Sequence, residues 1–413
     1  MSSDGPAFTA PISRGSRLHF SWGLGTELRL LDIQNPATQQ GGDGGQLMQV
    51  SWGQVSSSHR IISFATAEQY AEVQRSRLSG ARDDAHLARV ASYARAVREQ
   101  LMSLRDDPDD GGYSQLEAAL WQLLEVFLVD LPRHEGNLGE DLVAWLGAHA
   151  DALAGITEQQ GISSRLEELC GSPSAAAQPD YWPLLTRLVA LGRTREALQL
   201  LDCHEAKQAA GGALQQPGIR AQLELLDCLH VLLKRLPRLA PSAGRDPTSR
   251  AYGSLAEYST AREVWLREAG DIAAAEELFT VAGAASRRTA EGVRAVLRVL
   301  LGDPAALRAA TSDWLEGAAA EIVHRQYGSA AAGGGGGGGC GIVGGNQLRA
   351  LLCDVRASRE PEEASGLLDL LWSLLEALCE ADVAGVVSVL STSGVASPWL
   401  MAHCMELAAA YPG

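Results

Sequence analysis

The sequence predicts a mainly α protein, an α-solenoid preceded by a short N-terminal group of β-strands. Two observations support this fold class. Apolar and polar residues alternate between Leu18 and Phe64, which is the period of a β-strand, whereas from Thr66 onward apolar residues recur at steps of three and four, which is the period of a helix. Because short turns join these helices over most of the chain, we expect them to stack as a solenoid rather than as a compact bundle.

The alternating region predicts three or four short strands in meander order. Apolar residues of each strand alternate with polar ones such as His19, Ser21, Arg29 and Gln49. Glycine-containing segments that favour turns separate the strands, as a meander requires. The predicted strands are Leu18–Trp22, Glu27–Leu31 and Met48–Trp52, with Ile61–Phe64 as a fourth short run.

A sheet of this size is marginally stable by itself in water. Its apolar residues and its unpaired edges must therefore be covered. The sequence favours two interpretations equally. In one, the sheet folds back onto the first helices. In the other, it completes the sheet of a partner by β-augmentation, in which main-chain hydrogen bonds give affinity and side-chain pockets give specificity.

The helical part contains two similar helix pairs, in which a tryptophan-containing helix leads through a glycine into a second helix. Gly192 follows the helix of Trp182, and Gly270 follows the helix of Trp265. The glycine run 333–339 predicts a flexible insertion, because ordering glycine costs the most conformational entropy. The predicted helices include 181–191, 255–269, 271–282 and 304–327. The predicted organisation is β-strands at 1–65, solenoid at 66–329, a glycine-rich insertion at 330–345 and solenoid again at 346–413.

Composition and charge exclude several classes of protein. The 413 residues are 46% apolar, as in a folded domain, and 34 basic against 50 acidic residues give a net charge of −16. Such a chain has no basic surplus to neutralise phosphates, so we expect no direct nucleic-acid binding. Its seven cysteines form no Cys-x-x-Cys pair, and we find neither a signal peptide nor a long apolar segment. These features predict a reduced, intracellular protein without membrane insertion.

No motif for catalysis or metal binding stands out. The glycine tracts lack the Gly-Lys-Ser/Thr ending of a phosphate-binding loop, and no strand leads into the longer one. In the acidic run Asp106–Asp110, Pro108 occupies a position where an EF-hand needs an oxygen ligand, so a solvated turn is the better interpretation. Adjacent carboxylates such as Glu276 and Glu277 point apart on a helix. We therefore expect no enzymatic activity, no cofactor and no metal.

Six sets of short segments occur in a characteristic order between residues 18 and 403. They are Leu18–Leu28; Leu120–Asp130 with Leu142–Leu146; Tyr181–Leu185 with Leu188, Val189, Gly192, Arg193, Glu196 and Ala197; Leu232–Pro241; Leu301–Leu307 with Trp314; and Ser397–His403. Together they resemble the nucleoporin eighty-five family, the scaffold nucleoporins of the Y-shaped nuclear pore subcomplex. The third set is the most specific match.

The resemblance implies an ancestral coatomer element scaffold in the nuclear pore complex at the nuclear envelope. In that family the N-terminal strands form a blade that completes the open propeller of a Seh-type WD-repeat partner, and other scaffold nucleoporins of the Y complex are further partners. Transport of mRNA and protein depends on such a scaffold indirectly, through pore architecture. Carried over by position, the propeller-facing residues are Leu18, Phe20, Trp22, Leu28, Leu30, Met48, Val50 and Trp52, and Ile61–Phe64 is a further candidate segment.

The sequence departs from the family pattern at the glycine-rich insertion and at its end, Gly413. The family's C-terminal tail helices would follow there, so we expect that module to be absent and assign no hub assembly to these residues. Two other functions stay open. One is a vesicle-coat or lysosome-associated coatomer-like scaffold, which shares the architecture, and the other is a helical-repeat adaptor that binds peptides in its concave face.

Overall fold

The computed structural model describes residues 17–22, 27–33, 47–51, 57–79, 83–104, 113–131, 138–153, 160–208, 216–239, 250–252, 254–280, 284–325, 345–357, 366–380, 382–393 and 396–409. Within these ranges the chain is mainly helical, which is consistent with the predicted α-solenoid. The chain divides into two compact units, a first unit of Met1–Glu135 with Pro361–Gly413 and a second unit of Gly136–Glu360. The predicted insertion at 330–345 lies outside the described residues except for Gly345, and the predicted domain boundaries stay predictions.

The described chain begins with three strands and continues as helices, with one further pair of short parallel strands, β4 and β5. Up to residue 208 the elements are β1 (Arg17–Trp22), β2 (Glu27–Ile33), β3 (Leu47–Ser51), α1 (Ser57–Ala65), α2 (Ala67–Leu78), α3 (Asp84–Leu104), α4 (Tyr113–Glu125) continuing into a π-helical turn (Val126–Asp130), α5 (Leu138–Ala148), α6 (Gln160–Cys170), α7 (Tyr181–Ala190), α8 (Thr194–Asp202) and α9 (Glu205–Gln208). The elements that follow are α10 (Pro217–Lys234), β4 (Pro237–Leu239), β5 (Arg250–Tyr252), α11 (Leu255–Ala274), α12 (Glu276–Phe279), α13 (Ala284–Leu300), α14 (Pro304–Ala310), α15 (Trp314–Arg325), α16 (Gly345–Ala357), α17 (Gly366–Cys379), α18 (Val383–Ser393) and α19 (Pro398–Ala409).

The three N-terminal strands form an antiparallel sheet in the order β1-β2-β3. Phe20 lies opposite Leu30, and Leu30 lies opposite Met48. Residues that lie opposite one another share a face of the sheet, so each alternate set of positions forms rows across all three strands.

The predicted fourth strand, Ile61–Phe64, is wrong, because these residues lie in α1. The amide and the hydroxyl of Thr66 both donate to the Ile62 carbonyl, at 2.9 and 2.8 Å, so helical hydrogen bonding continues from α1 into α2. In α1 the side chain of Ile62 is buried, whereas those of its neighbours Ile61 and Phe64 are exposed. Isoleucine favours strands, but tertiary packing overrides that preference here.

The core of the first unit lies where α3, α4 and α19 meet. Tyr93 of α3, Trp121 of α4 and Trp399 of α19 are each at most 1% exposed. The two indole centroids are 6.3 Å apart, and Trp121 Nε1 donates to the Ala94 carbonyl at 2.9 Å. Because removing a buried aromatic side chain costs about 3–5 kcal/mol of stability, these rings are a main attachment of α19 to the unit.

The second unit is built around α7, which packs against α8, α13 and α14. Arg187 of α7 donates from Nε and from a terminal nitrogen to the two carboxylate oxygens of Glu316 on α15, at 3.2 and 2.7 Å. Glu316 is fully buried, so this two-point contact compensates a charge that would otherwise be costly to bury. His324 Nε2, near the end of α15, donates to the Val189 and Ala190 carbonyls, both at 3.2 Å. These contacts hold α15 along α7.

Glycine turns end two helices of the second unit. Gly192 after α7 and Gly302 after α13 have φ angles of 63° and 74°, a conformation that glycine adopts without strain. In both turns the next residue closes the helix end: the Arg193 amide donates to the Leu188 carbonyl at 2.8 Å, and the Asp303 amide donates to the Arg298 carbonyl at 3.0 Å. The predicted turn at Gly270 is wrong, because α11 runs through that residue to Ala274.

The predicted helix 304–327 is two helices, α14 and α15, separated at Thr311–Asp313. Asp313 Oδ1 accepts the Glu316 amide at 2.8 Å, which is the hydrogen bond of an N-terminal helix cap. The apolar spacing runs across this break, so the period alone did not reveal it.

Candidate partner-binding site

The register of the N-terminal sheet brings together most of the residues that the sequence predicts to face a propeller. Trp22 lies opposite Leu28, and Leu28 lies opposite Val50, in a second row beside that of Phe20, Leu30 and Met48. Leu18 has the same phase on β1, whereas Trp52 lies outside the described residues. By register, seven predicted residues therefore share one face of the sheet. Their role in binding stays a prediction.

The outer strands of this sheet are β1 and β3, because β2 pairs with both of them. An outer strand presents backbone N–H and C=O groups along its outer side, which can accept a strand from another chain. The sheet therefore has two outer strands and, by register, one set of apolar positions in phase, and its use in β-augmentation stays a prediction.

The helix that follows the sheet is attached to α4 and α19. His59 Nε2 of α1 donates to Glu117 Oε2 at 2.6 Å, and its ring stacks on Trp399 with centroids 4.9 Å apart and planes at 11°. Trp399 Nε1 donates to Ser63 Oγ at 2.9 Å, and Glu117 Oε1 accepts the Ser397 amide at 3.1 Å. The start of the helical region is therefore fixed by the C-terminal helix.

A second group of polar contacts holds α2 against α19. Glu406 Oε1 accepts from the Tyr70 hydroxyl at 3.0 Å and from Gln74 Nε2 at 2.9 Å, and Arg77 donates to Oε2 at 3.1 Å. Burial raises the pKa of Glu406, while the hydrogen bonds and the charge of Arg77 act in the opposite direction. These partners are 329–336 residues apart in sequence, so no motif could have revealed them.

Three large apolar side chains on the outer side of α1 and α2 are exposed. Phe64 and Leu78 are 88% and 86% exposed, and Ile61 is 53% exposed. Ile61 and Phe64 are three residues apart and so are neighbours on one helix face. The strand prediction for Ile61–Phe64 concealed this surface, although the helical spacing of the two residues was visible in the sequence.

The strongly perturbed histidines of the described residues lie inside the cores. Desolvation lowers the pKa of His403 and of His324 to about 3. His403 Nδ1 is hydrogen-bonded to the Tyr93 hydroxyl, whose own pKa burial raises. Both histidines are buried and neutral, and they contribute to the packing of α19 and α15.

Metal-binding clusters and membrane spans are both missing from the described residues. No group of three or more His, Cys, Asp or Glu side chains in that part of the chain is placed to hold a metal ion. None of the described helices combines the length and the apolar composition that a membrane span requires.

Comparison with known proteins identifies the family. A family model described as Nup85 Nucleoporin matches residues 47–410, which is most of the chain and begins at β3. The chain is also similar to nuclear pore complex protein NUP85 of Arabidopsis thaliana, with 25% identity over 438 aligned residues. The alignment covers 96% of this chain and 57% of the plant protein, so the chain spans little more than half the length of that curated relative. The chain therefore belongs to the Nup85 nucleoporin family, whose members are components of the nuclear pore complex.

Proposed function

We propose that this chain is a structural scaffold of the Y-shaped nuclear pore subcomplex and that it donates its N-terminal sheet as a blade to a Seh-type WD-repeat propeller. The family is one of structural nucleoporins rather than enzymes. The observation that carries the finer proposal is the antiparallel sheet ahead of the helices, with seven apolar residues in one phase of its register.

Propeller blades are typically four-stranded antiparallel sheets, and a propeller that lacks a blade has exposed strands and faces on both sides of the gap. A three-stranded sheet with an apolar face supplies most of one blade. Its outer strands β1 and β3 can pair with a strand of the partner, while the rows of Phe20 and Trp22 supply aromatic anchors of the kind that dominate binding energy.

The connection between sheet and helices supports a scaffold role. Five residues separate Ser51 at the end of β3 from Ser57 at the start of α1, and so short a connection reaches at most about 20 Å. Because α1 is fixed by Glu117 and Trp399, a propeller bound to the sheet stays close to the first helical unit. A long flexible tether would not position the partner in this way.

Further associations with other scaffold nucleoporins of the Y complex belong to the same proposal, and they involve the surfaces of the helices. In this role the chain supports mRNA and protein transport indirectly, by maintaining the architecture of the pore. The nuclear pore family also favours this function over that of a vesicle-coat scaffold.

Co-expression with the host's Seh-type propeller tests the proposal. We expect the full chain to co-elute with the propeller in size exclusion and a chain lacking residues 1–55 not to do so. The deletion ends before α1, because His59, Ile62 and Ser63 contribute to the folded helical unit. Co-elution of the shortened chain would contradict blade donation, and failure of both forms to bind would contradict the choice of partner.

A pair of neighbouring residues on the central strand gives a sharper test. Leu30→Asp places a charge in the apolar row, and we expect propeller binding to weaken by more than about 2 kcal/mol. Arg29 has the opposite phase on the same strand, so Arg29→Asp is the matched control and should change affinity by less than about 1 kcal/mol. Calorimetry that finds equal effects would show that the phase of the sheet does not matter for binding.

A further inference from the structure

Three residues of the second unit contain buried nitrogen atoms that have no hydrogen-bond partner among the described residues. The atoms are Nε and Nη2 of Arg262 on α11, Nε of Arg238 on β4 and Nδ1 of His324 on α15. Buried polar atoms in folded proteins are nearly always hydrogen-bonded. Four such atoms on three residues that approach one another therefore require an explanation.

The three side chains come together near the C-terminal end of α7. Arg238 Nη2 donates to the Gly192 carbonyl at 2.6 Å, and His324 Nε2 donates to the last two carbonyls of α7, both at 3.2 Å. The helix α11, which carries Arg262, packs on β4. Burial lowers the pKa of His324 to about 3, and the charges of Arg262 and Arg238 act in the same direction. Both guanidinium groups therefore lie within electrostatic reach of one imidazole.

Arg262 carries the least compensated charge of the three. The residue is 3% exposed, and its guanidinium carbon lies 4.9 Å from the centroid of the Trp265 ring. Stacking on an indole uses the face of the planar group and leaves the N–H groups at its edge for an acceptor. Arg238, by contrast, has a carboxylate oxygen of Glu140 3.9 Å from Nη1. Because a buried charge without a counter-charge is costly, Arg262 indicates that an anion binds beside it.

The unpaired edge of Arg262 has the shape that binds two oxygen atoms of one anion. Arg187 uses the same two nitrogens, Nε and Nη2, to donate to both carboxylate oxygens of Glu316, at 3.2 and 2.7 Å. Arg193 directs the same two nitrogens at Glu196. Carboxylates and phosphates both fit this edge, because their oxygens match the spacing of its two parallel N–H groups. At Arg262, no oxygen of the described residues takes that place.

We propose that Arg262, Arg238 and His324 form a binding site for a small oxyanion, inorganic phosphate. The N–H groups of the two arginines donate to its oxygens. Hydrogen phosphate also carries a hydroxyl, which suits the Nδ1 acceptor of a neutral imidazole whose Nε2 is the donor. With Glu140 beside Arg238, the charged groups sum to 1 + 1 − 1 = +1, which favours an anion. The proposal does not depend on the N-terminal sheet, because all these residues belong to the second unit.

Titration of the full chain with inorganic phosphate tests the site. Sodium chloride keeps the ionic strength constant, so that general screening of charges does not change. We expect saturable binding by isothermal titration calorimetry. We also expect the melting temperature of the second unit to rise by at least about 3 °C at about ten times the Kd, because the ligand binds only the folded chain.

Three variants of α11 test the location. Arg262→Met removes the charge and nearly keeps the length of the side chain, so the phosphate-dependent rise in melting temperature should disappear. In chloride alone this variant should melt no lower than the unaltered chain, because no buried ion pair is broken. Arg262→Lys keeps the charge but loses the two-point edge, and it should bind phosphate at least about 10-fold more weakly. The matched control is Arg267→Met on the exposed side of the same helix, where Arg267 pairs with Glu263 at 3.4 Å. It should keep the full response.

Three outcomes would overturn the proposal. The first is the absence of saturable phosphate binding by the unaltered chain. The second is an equal rise in melting temperature in Arg262→Met, which would show that phosphate stabilises the chain only by exclusion from its surface. The third concerns Asp246, which lies outside the described residues. If Arg262→Met and Asp246→Asn each lower the melting temperature in chloride and the double variant loses no more, a carboxylate of the chain itself pairs with Arg262.

Discussion

The two compact units achieve a buried core in different ways. In the first unit, α19 packs on helices near the N-terminus, and buried polar groups link them: Tyr93 with His403, and Tyr70 with Glu406, are 310 and 336 residues apart. In the second unit, α7 packs on segments that follow within about 140 residues, and the Gly192 turn connects it directly to α8. The first unit therefore joins segments from distant parts of the sequence, whereas in the second unit α7 packs on nearer ones.

This difference has a consequence for function. The helix that follows the proposed blade, α1, touches α19 through Trp399. Loss of α19 would therefore remove one of the attachments of α1, although the contacts of α1 with α3 and with Glu117 of α4 would remain. The helix α7, by contrast, packs on α8, α13 and α14 of its own unit.

The largest effect that we predict comes from tryptophan truncation in each unit. Trp399→Ala removes a side chain that packs on His59, Trp121 and His403, and we expect a loss of about 3–5 kcal/mol in the free energy of unfolding of the first unit. Limited proteolysis with mass spectrometry should show new cleavage in α1–α4 and α19.

The matched control is Trp265→Ala in the second unit, where the indole of Trp265 donates to the Leu232 carbonyl at 2.9 Å. It should open α10 and α11 instead. The same cleavage pattern in both variants would show that the two units unfold together.

The sequence predicted the positions of the helices better than the contacts between them. The prediction for α7, 181–191, agrees with the structure to one residue, because a buried stripe of leucines determines both its type and its extent. The segment Ile61–Phe64 was misread because packing of Ile62 overrides the strand preference of isoleucine, and Gly270 was misread because a glycine can also lie within a helix, here α11. The contacts of His403 and Glu406 were not predictable, because spacing within one helix does not say which distant helix it meets. The alternation of apolar and polar residues predicted where the strands lie. It does not indicate which partner binds them, and that prediction came only from the family resemblance.

An effect of intermediate size is the loss of stability on acidification, which we expect in both units. The pKa of His403 and of His324 is about 3 in the folded chain, below the ordinary value of 6.5. The unfolded chain therefore takes up these protons near pH 6.5 while the folded chain does not, so stability is complete above that pH and falls as the pH drops toward 3. Each histidine contributes a slope of at most about 1.4 kcal/mol per pH unit.

Asparagine variants at these histidines test that slope. His403→Asn should flatten the fall between about pH 6 and pH 4 for the first unit, and His324→Asn should do so for the second, by roughly one proton each. Urea unfolding at several pH values, followed by hydrogen exchange in each unit, gives the measurement. The nearby His59, which is hydrogen-bonded to Glu117, also lowers the pKa of His403. The positive charges of Arg262 and Arg238 also lower the pKa of His324. Slopes that do not change in either variant would show that other groups cause the acid sensitivity.

The smallest effects that we predict are those of replacing two glycines of the second unit by alanine, which should change the free energy of unfolding in opposite directions. Gly292 of α13 lies against Trp182 of α7, so Gly292→Ala places a methyl group 2.0 Å from the indole ring, and we expect overpacking to lower the free energy of unfolding by about 1–3 kcal/mol. Gly270 lies within α11, and a methyl group added there would meet no atom within 4 Å beyond the backbone of its own helix. Gly270→Ala should therefore raise stability by about 0.5–1 kcal/mol, because alanine restricts the unfolded chain and favours the helix. Thermal melting of both variants is sufficient. A stabilising effect of Gly292→Ala would mean that Trp182 can move away from α13 and that the close contact between α7 and α13 does not require glycine.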